Sequence, residues 1–457
     1  MTYDFIELDK DSRIPLYQQL YNCISEAIEM GKLPQETKLP SIRGLSEDLG
    51  VSRTTVEGAY SQLSIEGYII SKPQSGFYVY TPSLPSASRK LIKPVSERVR
   101  NTPEILYDLG SGSIDIESAD IKIWRTYVKD VLKQQAAMAA YGTPQGEYEL
   151  RRELAHYSYT VRGVECSPDS IVIGAGTQQL LYLICGLLRP YGDTIAIEKG
   201  GFARAEQVFT DCGYNIAYMS SDCDGMKTDN LCNFETKILF VNPSENLMTG
   251  QPMKMSRRYE LLRRAADCGG IIIEDDYNGE LRYSSRPIPA LQGTDSSRVI
   301  YIGSFSKLLL PSVRVGYAVL PDVLLCEYKK KSMLYNQAAS KVEQLALAKY
   351  IHEGQLDKRL RKLRKIYYEK STALTSALKK HFGDNLRLTV FENSLYIEIT
   401  LPTAYTDLSA AALEKGLRIT ELPGSDGSRL RLSFAGITPE DIEPAAALLR
   451  EICIGKA

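Results

Sequence analysis

RVIYIGSFSKLLLPSVRVG, residues 298–316, reads as a strand over 298–302 that runs out into Gly303, Ser304, Ser306 and Lys307, with Arg314 seven residues beyond the lysine. A lone lysine in such a place is ordinarily a surface residue, so its meaning depends on what lies beside it. Upstream, GGIIIEDDY, residues 269–277, is a second apolar strand, ending in three acids and a tyrosine. Asp275 and Tyr277 are two apart and point to the same side if the strand continues. GAGTQQ, residues 174–179, sits where a further strand meets a helix. Gly176 permits the tight turn, and the helix N-terminus at Thr177 and Gln178 offers backbone donors to an anion. Phe202 follows the strand over 194–198 and is placed to stack on a ring. Ligands in open α/β sheets sit outside the carboxyl ends of strands, where these groups gather.

Pyridoxal phosphate requires such a set. It needs an amine to meet its aldehyde, a carboxylate to keep the pyridine nitrogen protonated, a phenol or amide near the ring hydroxyl, and donors around the phosphate. Lys307, Asp275, Tyr277 and the pair Ser304/Arg314 answer in that order, and the planar fork of an arginine suits a phosphate. No GxGxxG follows a strand, so a dinucleotide site has no specific support.

Around these motifs, apolar runs at 170–173, 194–198, 237–241, 270–274, 298–302 and 316–320 alternate with helical stretches at 178–188, 202–212 and 255–268. That order predicts a mostly parallel α/β sheet. One long charged helical segment is expected over 341–382, then a smaller α+β domain from about Asn385 to Ala457.

The N-terminus follows another pattern. In residues 12–30, Leu16, Leu20, Ile24 and Ile28 recur every four residues, with Pro15 in the first turn and Gly31 at the end. Over 39–80, Ser41 caps a short helix packed through Ile42, Leu45 and Leu49, and Gly50 breaks it. Ser52 caps a second helix packed through Val56, Ala59, Tyr60 and Leu63, and Gly67 ends it. Two short strands follow, joined by a turn at 73–76. Helix, helix, turn, helix, hairpin is the order of a winged helix-turn-helix. Ser52, Arg53 and Thr54 present polar groups at the start of the recognition helix, Arg43 opens the preceding one, and Lys72 lies in the wing. Lys38 and Arg13 broaden that basic face. The first 80 residues hold seven Lys/Arg against eleven Asp/Glu, so any DNA binding comes from a local face and not from summed charge. A protein-interaction module of the same shape is the competing reading.

Composition bounds the rest. The 457 residues, with 44% hydrophobic and 24% charged and a net charge of −1, suit a protein of two or three domains. The nine cysteines, Cys232 among them, are widely spaced with no CxxC, and the three histidines are far apart. Neither a disulfide framework nor a metal centre is indicated. No membrane-spanning run and no signal-peptide pattern is present, so a cytoplasmic protein is expected. Residues 81–106, with Pro82, Pro85, Pro94 and Pro103, read as a linker.

The spacing LPSxRxLxxxLxVSRxTVxxAYxxLxxEGxIxxxxxSGxxV resembles the winged-helix domain of GntR-type bacterial regulators. The strand-end motifs, with YGTPQGEYELRRELAHY at 141–157, resemble the fold-type I aminotransferases. Together they resemble the MocR subfamily across nearly the whole chain. The resemblance implies a winged helix-turn-helix domain at 1–80, a linker at 81–106, and an aminotransferase-like domain at 107–457. The latter divides into a large domain near 140–330 and a small one near 340–457. It implies Lys307 as the Schiff-base lysine, Asp275 as the ring-nitrogen partner, Tyr277 as the ring-hydroxyl partner and Phe202 as the stacking ring. Gly176, Thr177, Gln178, Ser304 and Arg314 fall in the phosphate region. In RLRLSFA, 429–435, Arg431 matches an arginine that clamps an amino-acid carboxylate, with Arg429 left open and Arg204 as a second candidate. Arg43, Ser52, Arg53 and Thr54 match operator contacts.

Two departures stand out. The Asn-Pro-Thr-Gly motif of the enzymes appears as Asn246-Leu247-Met248-Thr249-Gly250, so the hydrogen bond to the ring hydroxyl either comes from Asn246 or is absent. Gly200 stands where proline is common. Both bear on transamination more than on cofactor binding. The expected function is therefore that of a DNA-binding transcription regulator with pyridoxal phosphate on Lys307, alone or with an amino compound, as effector. It is expected to act as a homodimer on a double-stranded operator. A working aminotransferase with an attached DNA-binding domain is the alternative.

Overall fold

The computed structural model describes the chain except residues 1–4, 81–103, 111–113, 116–118, 229–235, 247–248, 278, 284–287, 384–385, 392–393, 406, 423–427 and 457. Most of the expected linker, the Leu247-Met248 departure, Cys232 and Asn385 lie outside the described residues. The chain divides into two compact units, residues 1–100 and 101–457.

In the first unit, α1 (Leu16–Glu29), α2 (Ile42–Leu49) and α3 (Arg53–Ile65) precede a hairpin of β1 (Ile69–Lys72) and β2 (Gly76–Val79). Serine hydroxyls begin two of the helices. Ser41 accepts from the Gly44 amide before α2, and Ser52 accepts from the Thr55 amide before α3. Gly50 ends α2 at φ +61°, a left-handed conformation that glycine adopts without a Cβ penalty. Leu20, Ile24 and Ile28 of α1 meet Leu45, Val56, Ala59, Tyr60 and Leu63 in one core. This is the winged helix-turn-helix that the spacing predicts.

In the second unit, α4 (Tyr148–Arg162) leads into an alternation of strands and helices. These are β3 (Ile171–Gly174), α5 (Thr177–Leu188), β4 (Thr194–Glu198), α6 (Ala203–Asp211), β5 (Asn215–Met219), β6 (Ile238–Val241), α7 (Met255–Cys268), β7 (Ile271–Asp276), β8 (Val299–Ser304) and β9 (Gly316–Val319). The seven strands form one sheet in the order β3-β9-β8-β7-β6-β4-β5. Every neighbouring pair is parallel except the two made by β9. Helices cover both faces, so the central strands are buried throughout and read as continuous apolar runs. The strand over 215–219 was not anticipated. It lies at the sheet edge, with Asn215 and Tyr218 exposed, and lacks the apolar run that marks the other six.

The charged helical segment is two helices and not one. α8 (Lys341–His352) and α9 (Gln355–Phe382) are separated at Gly354, which sits at φ +68°. Beyond them, β10 (Arg387–Val390), β11 (Tyr396–Thr400), β12 (Thr420–Leu422) and β13 (Arg429–Ser433) form an antiparallel sheet in the order β10-β11-β13-β12. α10 (Ile442–Lys456) packs against α9. The last residues of the expected linker already belong to this unit, since the Leu106 amide donates to the Gly416 carbonyl at 2.8 Å. Among the described residues, no helix is long and apolar enough to cross a membrane.

Candidate cofactor site and DNA-facing helix

The parallel strands end on one side of the large sheet, and a cavity of about 530 Å³ opens there. Its lining includes Thr177 and Gln178 after β3, Glu198, Phe202 and Arg204 after β4, Asn242 and Glu245 after β6, Asp275 and Tyr277 at β7, and Ser304, Ser306 and Lys307 at β8. Arg314, just ahead of β9, and Ser394, Tyr396 and Arg431 from the small sheet complete it.

Strand β7 carries three consecutive buried acids, and successive side chains alternate between faces. Glu274 accepts from the Leu291 and Gln292 amides at 2.8 and 2.9 Å. Asp276 takes the Arg162 Nε at 2.6 Å, the Tyr301 hydroxyl at 2.8 Å and the Ser244 hydroxyl at 2.9 Å. Asp275 lies between them, 1% exposed, and its Oδ1 has no hydrogen-bond partner among the described residues. Burial first, then the charge of Asp276, pushes its carboxyl up to about 8. A buried, unsatisfied carboxylate oxygen is costly unless a donor arrives from the cavity.

Lys307 is half-buried. Its amine is held below the ordinary lysine value by burial and then by the Arg204 guanidinium. A depressed amine is the more nucleophilic one at neutral pH. Arg314 adopts φ +50°, an uncommon conformation for a residue with a side chain. Its guanidinium donates to the Ala175 carbonyl at 3.2 Å and to the Ser306 hydroxyl at 3.4 Å. Gly176 stands against it at φ +94°, ahead of the exposed N-terminal turn of α5. Phe202 and Tyr277 lie ring to ring at 6.5 Å with 28° between their planes.

Three features fit pyridoxal phosphate: an aspartate oxygen awaiting a donor, an amine of lowered basicity, and a cradle of arginine, serine and helix N-terminus.

Not every expected residue lines the cavity, and Gly176, behind Arg314, is outside its lining. Asn246 does not line it either: its Nδ2 donates to the Asp222 carbonyl at 2.7 Å and its Oδ1 accepts from the Thr249 amide at 3.1 Å, which ties it between the segment at Asp222 and its own loop. The loop presents Asn242 and Glu245 to the cavity instead. Arg431 lines the cavity and Arg429 does not, although both pair with Glu398, at 2.7 and 3.0 Å. Gly200 sits at φ +82°, which proline cannot adopt, so the local backbone path excludes the proline common at that position. Glu245 was missed altogether, because an acid in a loop carries no periodic signal.

In the first unit, Arg43, Ser52, Arg53, Thr54 and Lys72 are all exposed. Arg43 pairs with Glu47 at 2.9 Å. The Ser52 hydroxyl is already shared with Thr54 and Thr55 at 2.7 and 2.8 Å. The Lys72 amine lies 4.5 Å over the Tyr78 ring.

A winged helix followed by an α/β sheet with a lysine, an aspartate and an arginine at its strand ends joins the parts of a DNA-binding regulator to those of an aminotransferase-type domain. Residues 16–79 match the bacterial regulatory proteins of the gntR family, and residues 104–449 match aminotransferase class I and II. The chain is 35% identical to the uncharacterized HTH-type transcriptional regulator YhdI of Bacillus subtilis, over 95% of each chain. It is 30% identical to the probable rhizopine catabolism regulatory protein MocR of Rhizobium meliloti, over 97% of this chain and 94% of that one. The crystal structure of the multiple substrate aminotransferase from Thermococcus profundus superposes with a TM-score of 0.66 at 27% identity, covering 78% of this chain and 93% of that one. The chain belongs to the MocR-type regulators, in which a gntR-family DNA-binding domain is joined to an aminotransferase class I and II domain that implies pyridoxal phosphate.

Proposed function

We propose that this regulator reads the supply of pyridoxal phosphate, alone or together with an amino compound, and transmits it to DNA through the N-terminal helices. The observation that carries this reading is the single cavity that gathers Lys307, Asp275 and Arg314 in a chain that also bears a winged helix. Lys307 would supply the amine, Asp275 would accept from the ring nitrogen, and Tyr277 would donate to the ring hydroxyl. Gly176, Thr177, Gln178, Ser304 and Arg314 hold the phosphate, and Phe202 covers the ring. When bound, the cofactor would supply an aldehyde able to condense with a primary amine. Arg431 and Arg204 receive a carboxylate on that amine.

Arg43, Ser52, Arg53, Thr54 and Lys72 meet an operator. A homodimer with two winged helices suits a two-site operator, and the cytoplasm is the compartment where such an operator lies. The effector acts only insofar as it binds the conformational states unequally.

Selection of genomic DNA fragments by the purified full chain, with and without pyridoxal phosphate, tests this. A set of fragments whose enrichment changes with cofactor, and a Lys307→Ala variant that loses the change, are expected. Enrichment indifferent to cofactor removes the sensor reading. Because the Lys307 amine has lowered basicity, steady turnover of an amino donor with a keto acceptor is measured alongside, and efficient turnover favours the aminotransferase alternative.

A further inference from the structure

Glu245 stands at the seam between the large and small sheets. It comes from the loop after β6, is 2% exposed, and lines the cavity. Its Oε2 accepts from the Tyr277 hydroxyl at 3.3 Å and from the Ser394 hydroxyl at 2.9 Å. Its Oε1 accepts from the Tyr396 hydroxyl. Ser394 and Tyr396 belong to the small sheet and its approach, and the Arg431 guanidinium rests 4.2 Å over the Tyr396 ring. One carboxylate thus gathers hydroxyls from both sides of the site.

Tyr277 has a single proton to donate. Toward the ring hydroxyl oxygen of pyridoxal phosphate it faces a competitor already in place. The Tyr277 proton can serve one strong acceptor at a time, so the competition is material. We propose that Glu245 is a positioning residue that sets cofactor affinity by holding the Tyr277 hydroxyl, and that it relays cofactor occupancy to Ser394 and Tyr396. When Tyr277 turns to the cofactor, Glu245 leans on its two remaining donors, both from the small-sheet side. This inference rests on the reading that the cavity binds pyridoxal phosphate.

Two variants of the full chain move affinity in opposite directions. Glu245→Gln weakens the competing acceptor, and pyridoxal phosphate binds about five-fold more tightly in an absorbance titration. Tyr396→Phe removes a donor from Glu245, which then holds Tyr277 more firmly, and binding weakens by a similar factor. In a Tyr277→Phe background the effect of Glu245→Gln disappears. Hydrogen exchange over residues 394–400 changes on cofactor addition in the native chain and not in Glu245→Gln. If Glu245 is only structural, both single variants weaken binding, which overturns the proposal while leaving the cofactor reading intact. If the native chain takes up no pyridoxal phosphate, the cofactor reading fails and this inference fails with it.

Discussion

A β-carbon built on Gly176 would lie 2.6 Å from the guanidinium of Arg314. The two residues flank the strand ends where the phosphate is expected, and the glycine leaves the room the arginine occupies. Gly176→Ala must move Arg314 and must also hold a left-handed backbone at that turn. Pyridoxal phosphate affinity is expected to fall roughly ten-fold or more, a loss of about 1.4 kcal/mol. Arg314→Lys, which keeps charge but loses the fork, falls in the same direction. Titration of each variant by absorbance checks both.

Asp275 gives the cofactor-free protein a pH dependence. Its folded carboxyl, raised to about 8, lies well above the ordinary unfolded value. Below the unfolded value both states are protonated and the group has no effect. As pH rises from there to about 8 the unfolded chain ionises while the folded one does not, so stability falls, by at most about 1.4 kcal/mol per pH unit from this group. Asp275→Asn removes that component. Thermal melts of the native chain and the variant at a series of pH values show it as a flatter profile, and added cofactor stabilises the native chain most at the upper end of the window.

Arg162 and Asp276 form an ion pair at 2.6 Å with both side chains essentially inaccessible. Removing one partner leaves a buried charge uncompensated. Arg162→Met and Asp276→Asn are each expected to destabilise the second unit by about 3–5 kcal/mol. Urea unfolding followed in the full chain reads this, and the double variant is expected to recover part of the loss.

On the DNA side, Arg53→Ala is expected to cost about 1–3 kcal/mol and to relax sequence preference. Lys72→Ala weakens binding more evenly across sequences and lowers the salt slope by about one. Ser52→Ala loses the cap of α3, about 1 kcal/mol of stability, before any contact is counted. Glu47→Gln frees Arg43 from its partner and strengthens binding at low salt. Electrophoretic shifts at several salt concentrations separate these effects.

The legible parts of this fold are those whose physics is local. Ser41 and Ser52 announce helix starts, Gly50 announces a stop, and the uninterrupted apolar runs before Asp275 and Ser304 mark buried parallel strands. The strand over 215–219 escaped because an edge position tolerates Asn215 and Tyr218 on its open side. Gly354 was passed over inside a strongly charged helical stretch. At the site, residues tied to strand ends were readable from their spacing. Asn246 was not, since the course of its loop decides which side chain reaches the cavity, and tertiary packing sets that course. Glu245 became visible only once Ser394 and Tyr396, about 150 positions downstream, stood beside it.

Glu398 already grips Arg431 and Arg429. An amino-acid carboxylate arriving there, as proposed, would trade places with an incumbent instead of meeting a bare cation, which would trim the net gain from that encounter. Occupancy would then climb only when the amino compound is plentiful. Under the proposed reading, such a protein would gauge surplus and stay deaf to traces.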